Sequence, residues 1–261
     1  METRITLLQQ FARRLFEAEQ QGTTVKPPST QIPNFALEDA YQVQDQIAAL
    51  KREAGLRHIG WKTALTNPLL RQRSQAPVPT RGYLFEPALL TSREARGPGF
   101  LIEPEVTFYL DADIAGPAAT PEAVLAATRG ICASLEVAGG RYGERVSFVD
   151  LAADNAGAAH MVVSDLILSP AEAGDPASLA GLSVELFKNG ELVQSGKGVD
   201  VMGGPAHAVA WLATQLHDSE KMLQRGQVIL SGSFTLPVPA APGDRITARF
   251  DRLGSIEVSV T

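Results

Sequence analysis

Ile5, Leu8, Phe11 and Leu15 recur at three- and four-residue steps in METRITLLQQFARRLFEAEQQG, with charged residues interleaved. That spacing predicts an amphipathic helix. Tyr41, Val43, Ile47 and Leu50 repeat the pattern in LEDAYQVQDQIAALKREAG, where Gly55 offers a stop. Between them, the prolines of GTTVKPPSTQIPNF suit an extended surface strap. Two later helices are expected. TPEAVLAATRGICASLEVAGG opens with Thr120 as cap, Pro121 at the first helical position and Glu122 in the first turn, and carries Val124, Thr128, Ile131 and Leu135 on one stripe. GPAHAVAWLATQLHDS starts in the same way with Pro205.

Elsewhere the period shortens. FLIEPEVTFYLD, AAHMVVSDLILS, LSVELFKNGELVQSGKG, RGQVILSGSFTLPV and DRITARFDRLGSIEVSV show β-branched or alternating apolar positions, the signature of strands. Asn189-Gly190 predicts a hairpin, because a type I′ turn needs positive φ at both central residues. The stretch HIGWKTALTNPLLRQRSQAPVPTRGYLFEPALL mixes a short strand candidate with prolines and basic residues, as functional loops often do. Strands and helices in mixed order predict an α+β fold rather than a doubly wound one. A helical N-terminal region over 1–75 and a mixed-sheet domain over 76–261 are expected.

Composition narrows the function. The chain has 261 residues, 44% of them apolar, enough for a sizeable core. Its 23 basic and 29 acidic residues leave a net charge of −6 with no basic block, which disfavours phosphate-backbone binding. The single cysteine, Cys132, excludes an internal disulfide and reads as helix packing in a reducing interior. No apolar run approaches a membrane span, so a soluble, cytoplasmic protein is expected.

Glu103 and Glu105 stand astride Pro104 in the aromatic-rich strand candidate FLIEPEVTFYL. In a strand they project from one face, roughly 6–7 Å apart at Cα. Among Phe100, Ile102, Val106 and Phe108, two charged carboxylates are costly unless a cation lies between them. The alternative is an edge strand with both glutamates in water and Pro104 marking the edge. Glu136, alone in charge between Arg129 and Arg141, falls near the end of an expected helix, where the macrodipole disfavours an anion. Three carboxylates suit a hard ion, Mg²⁺ or Mn²⁺. His58, His160, His207 and His217 show no zinc-ligand spacing.

The ordered set IGWKTALTN, E-x-E with a glutamate 31 residues after its second member, FVDLAADNAG, KNGELVQSGKG, GGPAHAVAWLA, GQVILSGSFTLPVPAAPGD and LGSIEVSV resembles the 2-keto-4-pentenoate hydratase and 4-oxalocrotonate decarboxylase group of the fumarylacetoacetate hydrolase superfamily. The resemblance runs nearly end to end. It implies a mixed β-roll core, a Mg²⁺ or Mn²⁺ ion on Glu103, Glu105 and Glu136, and Lys62 beside the oxo acid end of a 2-hydroxy-2,4-dienoate or 2-oxo-4-enoate. A hydratase giving a 4-hydroxy-2-oxo acid, in aromatic catabolism, is the leading expectation. The alternatives are a decarboxylase of a 2-oxo-dienedioate and a non-catalytic homologue that binds metal or oxo acid. A homo-oligomer, or pairing with a homologous pathway enzyme, is also implied.

Departures from the family pattern focus on PTRGYLF, where the family's catalytic aspartate position is held by Thr80, followed by Arg81. Arg81 is a candidate for a second substrate carboxylate or a solvated loop arginine. Lys62 would bind substrate or share a proton, or else be a surface lysine. Asp154 and Asn155 are candidates to bind substrate or orient the site, or else to form an Asx turn. Ser231, Gly232 and Ser233 are candidates to approach substrate at a strand end, with a glycine bend as the plain alternative.

Overall fold

The computed structural model describes residues 3–116, 119–143 and 146–261. Both expected N-terminal helices form. In α1 (Arg4–Gln21), Thr3 caps the start by accepting from Thr6 N, and Gly22 closes the end at φ 64°. Helix α2 (Leu37–Glu53) packs Val43 and Ile47 against Leu8, Phe11 and Leu15 of α1, forming a small core of their own. The strap between them is pinned at Ser29, whose N and Oγ both donate to Asp150.

Next come β1 (His58–Ala64), a short helix α3 (Pro68–Arg73), β2 (Thr80–Phe85), a two-residue β3 (Glu94–Ala95) and β4 (Phe100–Leu110). The long helix expected from Thr120 is corrected at this point. Only α4 (Pro121–Ala126) is helical, and Thr128–Ala138 is a strand, β5. Both faces of β5 are covered, so apolar residues fill successive positions and mimic a helical stripe; periodicity cannot separate the two cases. Cys132 is therefore buried in a sheet, not a helix, and no helix dipole acts on Glu136.

The remaining elements are α5 (Phe148–Ala153), β6 (Ala158–Leu168), α6 (Pro170–Ala173), α7 (Pro176–Gly181), β7 (Ser183–Lys188), β8 (Glu191–Lys197), α8 (Pro205–His217), β9 (Val228–Leu230), β10 (Val238–Ala240), β11 (Arg245–Phe250) and β12 (Gly254–Val260). The β7–β8 turn has Asn189 at φ 54° and Gly190 at φ 91°, the left-handed pair that the sequence predicts.

Among the described residues, one sheet runs β2-β1-β9-β4-β5-β6 with β10 also pairing β4, and a second runs β3-β12-β11-β7-β8. Phe108, Ile131 and Leu135 from the first sheet and Ile246, Ile256 and Val258 from the second share one core, with Val209, Leu212 and Leu216 of α8. This is the mixed-sheet arrangement with N-terminal helices that the sequence predicts. The boundary expected at 75/76 falls between β1 and β2, which pair with each other along their length.

Strand β4 is central rather than at an edge, which overturns the water-facing alternative for its glutamates. It pairs with β5 on one side and, on the other, with β10 over Phe100–Ile102 and with β9 over Thr107–Tyr109. Pro104 sits in the gap between those two partners, where its carbonyl accepts from Phe234 N at 3.0 Å. The missing proline N–H faces that interruption, so no ladder bond is lost.

Candidate active site

Strand alternation and register build the carboxylate cluster. Ile102, Pro104, Val106 and Phe108 turn to the core, so Glu103 and Glu105 share the other face of β4. In the antiparallel pairing, Glu103 lies directly opposite Glu136 of β5. Carboxylate oxygens of all three come within 4.8 Å of one another. Burial and the adjacent Glu136 charge push the Glu103 carboxyl up to about 8, and burial with its two acidic neighbours raises Glu105 well above the ordinary carboxylate range. Glu105 Oε1 and Glu136 Oε2 are buried without a hydrogen-bond partner. Two orphaned oxygens among three hard carboxylates fit a divalent cation, which would satisfy both and relieve the repulsion.

Among the described residues, Lys62 supplies the ammonium at the cluster. It is buried on β1 with only its edge at the cleft, donating to Glu136 Oε1 and, at 2.8 Å, to the carbonyl of Ala156. It is thus a buried lysine with two partners, not a surface one. The Ala156 carbonyl comes from an unusual turn after α5 in which Asn155 (φ 53°), Ala156 (φ 53°) and Gly157 (φ 71°) are all left-handed.

Asp154 and Asn155 hold that turn. Asp154 receives Arg141 N at 2.7 Å and Arg141 Nε at 2.6 Å, while the same guanidinium also donates to the carbonyls of Gly139, Asp154 and Ala158. Asn155 accepts from Tyr83 N at 2.7 Å and donates to Tyr83 O at 2.9 Å, acting as a substitute strand partner for β2. The backbone comes so close that a Cβ at Gly82 would lie 2.5 Å from the Asn155 carbonyl. Neither side chain faces the cleft. Their position orients Lys62, which corrects the expectation that they touch substrate.

The Ser231-Gly232-Ser233 bend acts through its backbone. Gly232 N donates to Glu105 Oε2 at 2.8 Å, at φ 96° and with Thr66 filling the space a Cβ would need. Ser231 Oγ accepts from Val106 N, and Ser233 Oγ from Thr235 N, each at 3.3 Å. Both serines are buried and turned from the cleft, so the substrate-binding expectation for them is replaced by a role in shaping the bend.

Thr80 and Arg81 divide. Thr80, opposite Ala64, is buried with its hydroxyl 3.3 Å from that of Tyr41 and contributes no carboxylate. Arg81 pairs with Thr63, between the Lys62–Gly82 and Ala64–Thr80 pairs, so it projects to the opposite face from Lys62. There its guanidinium lies 4.3 Å from the Tyr41 ring and 5.3 Å from Trp61, within reach of Gln44 and Ser219. The expectation that Arg81 meets a second substrate carboxylate is therefore overturned; it is neither solvated nor at the cleft.

Lys62 and Glu103 open into a cleft of about 590 Å³. Its walls include Leu65, Leu70, Phe100, Leu151 and Pro237. Ala156, Arg141 and Leu65 were not singled out as site residues from sequence. A glycine bend at 232 was visible there, but a backbone carbonyl aimed at a lysine leaves no residue signature.

The chain matches the fumarylacetoacetate (FAA) hydrolase C-terminal family over residues 69–261. It is 34% identical over 261 residues to a 2-hydroxyhexa-2,4-dienoate hydratase of Comamonas testosteroni, covering 95% of this chain and 96% of the relative. It is 30% identical over 251 residues to a 4-oxalocrotonate decarboxylase of Pseudomonas sp. (strain CF600), covering 94% of each. Among solved structures, a 4-oxalocrotonate decarboxylase from Pseudomonas putida G7, complexed with magnesium and adipate, superposes with a TM-score of 0.92 at 28% identity, covering 100% of this chain and 99% of that one. With the family's pattern spanning most of its length and relatives of this identity along nearly all of it, the chain belongs to the fumarylacetoacetate hydrolase C-terminal family.

Proposed function

We propose that the protein is a divalent-metal-dependent lyase that hydrates a 2-hydroxy-2,4-dienoate, or its 2-oxo-4-enoate tautomer, to a 4-hydroxy-2-oxo acid. The observation that carries this reading is the closed set of Glu103, Glu105 and Glu136 with Lys62 against it at the floor of an apolar cleft. The hydratase of Comamonas testosteroni, similar along nearly the whole chain, gives the substrate class.

Glu103, Glu105 and Glu136 would hold Mg²⁺ or Mn²⁺. When bound, such an ion supplies Lewis acidity to the oxygens of a 2-oxo acid. Lys62 Nζ binds the acid end of the substrate and donates to Glu136 Oε1, and that carboxylate takes the proton of the C2 hydroxyl. The Ala156 carbonyl keeps Nζ aimed at the floor. Protonation at the far diene carbon yields the α,β-unsaturated ketone, and water then adds at C4 with its proton passing to C3. Leu65 and Phe100 limit bulk water beside the reacting carbons. Because Thr80 carries no carboxylate, water activation falls to the Lys62–Glu136 pair.

A second reading, decarboxylation of a 2-oxo-dienedioate, is favoured by the absence of a carboxylate at Thr80 and by the similarity to 4-oxalocrotonate decarboxylases. A product-resolved assay separates them: chelated protein should be inactive and recover with Mg²⁺ or Mn²⁺, giving the hydrate stoichiometrically. Release of CO₂ from a dienedioate instead would establish the second reading, and no turnover of either substrate would leave a non-catalytic binding protein. Assembly into a homo-oligomer is supported by Leu166 and Ile167 on edge strand β6 and by Leu192 and Val193 on edge strand β8, all exposed. Light scattering would read the subunit number.

A further inference from the structure

Polar groups are unevenly distributed along the cleft. Among the described residues lining it, Lys62 and Glu103 occupy the floor, and the only other polar side chains are Ser74 and Lys188. Lys188 is already neutralised: its Nζ lies 2.8 Å from Asp244 Oδ2 and donates to the Pro239 carbonyl at 2.9 Å. Arg81 of β2 lies behind the sheet, on the face opposite Lys62.

The walls are apolar by construction. Leu65 is buried at the cleft although its backbone is left-handed, at φ 56°. Arg71 holds that conformation by donating to the Leu65 carbonyl at 2.8 Å and to the Thr66 carbonyl at 2.7 Å. Leu70, Phe100, Leu151, Pro237 and Pro239 complete the surface. At about 590 Å³ the cleft is within the roughly 300–1,000 Å³ range of sites that enclose drug-sized ligands, more than a five-carbon acid fills.

We propose that the substrate is a monocarboxylic oxo acid or dienoate carrying an extended apolar substituent, alkyl or aryl, at the end remote from C1. This rests on the oxo-acid reading of the floor and goes beyond it by assigning the tail. A second carboxylate at that end would lose its hydration against Leu65, Leu70 and Phe100 without gaining a free cation among the described residues. An apolar tail gains with each methylene buried.

The test is calorimetric binding of 2-oxobutanoate, 2-oxohexanoate, 2-oxooctanoate and 2-oxoadipate to the Mg²⁺-loaded protein. Affinity should rise up to roughly fourfold per added methylene. 2-Oxoadipate should bind at least tenfold more weakly than 2-oxohexanoate, its equal in chain length. Leu70→Lys should narrow or reverse that preference. Affinity independent of chain length, or 2-oxoadipate binding as tightly as 2-oxohexanoate, overturns the tail assignment while leaving the floor intact. Failure of all four acids to bind overturns the oxo-acid reading and the assignment together.

Discussion

Gly232 is where the fold and the candidate metal centre meet, and Gly232→Ala separates its two contributions. A Cβ there would lie 2.2 Å from Thr66 Oγ1, 2.6 Å from Thr66 Cγ2 and 2.8 Å from Thr66 Cβ, on a backbone at φ 96°. The left-handed backbone costs a non-glycine residue roughly 1–2 kcal/mol, and the overlap adds about 1–3 kcal/mol if Thr66 shifts. A loss of about 2–5 kcal/mol is expected, which for a chain of this size lowers Tm by roughly 5–15 °C. The same shift moves the N–H that donates to Glu105 Oε2, so affinity for Mn²⁺ should fall about tenfold to a hundredfold. Urea unfolding reads the first effect and Mn²⁺ calorimetry the second. Thr66→Ala removes the two nearest atoms but keeps its Cβ, so the double variant should recover only part of the lost stability. Stability within about 0.5 kcal/mol of the parent, together with an unchanged Mn²⁺ affinity, would refute the reasoning.

Asp154→Asn breaks a buried pair with Arg141 and should cost about 3–5 kcal/mol in urea unfolding, with KM for the oxo acid raised only together with that loss, as the turn loosens its hold on Lys62; a raised KM with full stability would place Asp154 in contact with substrate. In metal-free protein the Glu103 carboxyl, raised from its ordinary range to about 8, binds a proton that the unfolded chain releases near pH 4.5, so stability should fall between about pH 4.5 and 8 by up to about 1.4 kcal/mol per pH unit. Urea midpoints in chelator at pH 5, 6, 7 and 8 check this, and midpoints that rise with pH would contradict it. Lys62→Met should lower kcat by about a hundredfold or more while Mn²⁺ still binds; steady-state kinetics and calorimetry on the same sample report both, and near-normal kcat would remove Lys62 from the chemistry.

The carboxylates were legible because a strand with two glutamates on one face among aromatics has few inexpensive explanations. Glu136 was legible as a lone charge, but its setting was misread: β5 is covered on both faces, and a fully buried strand leaves no alternation to distinguish it from a helix. The two-helix start and the Asn189-Gly190 hairpin were readable because each is a local pattern with one solution. Arg81 and the serines were misplaced for another reason. Their faces are set by cross-strand register and by hydrogen bonds to Val106 and Thr235, which no local pattern encodes. The grip of Arg141 on Asp154, and through that turn the aim of Lys62, spans separate elements and emerges only when they pack.

Titration of chelator-stripped protein with Mn²⁺, followed by calorimetry, tests the metal centre most directly when run beside the Glu103→Gln, Glu105→Gln double variant. One ion per chain in the parent, with no measurable binding in the variant, is the expected result. Equal binding by both proteins, or none by the parent, would contradict the assignment of the three glutamates as its ligands.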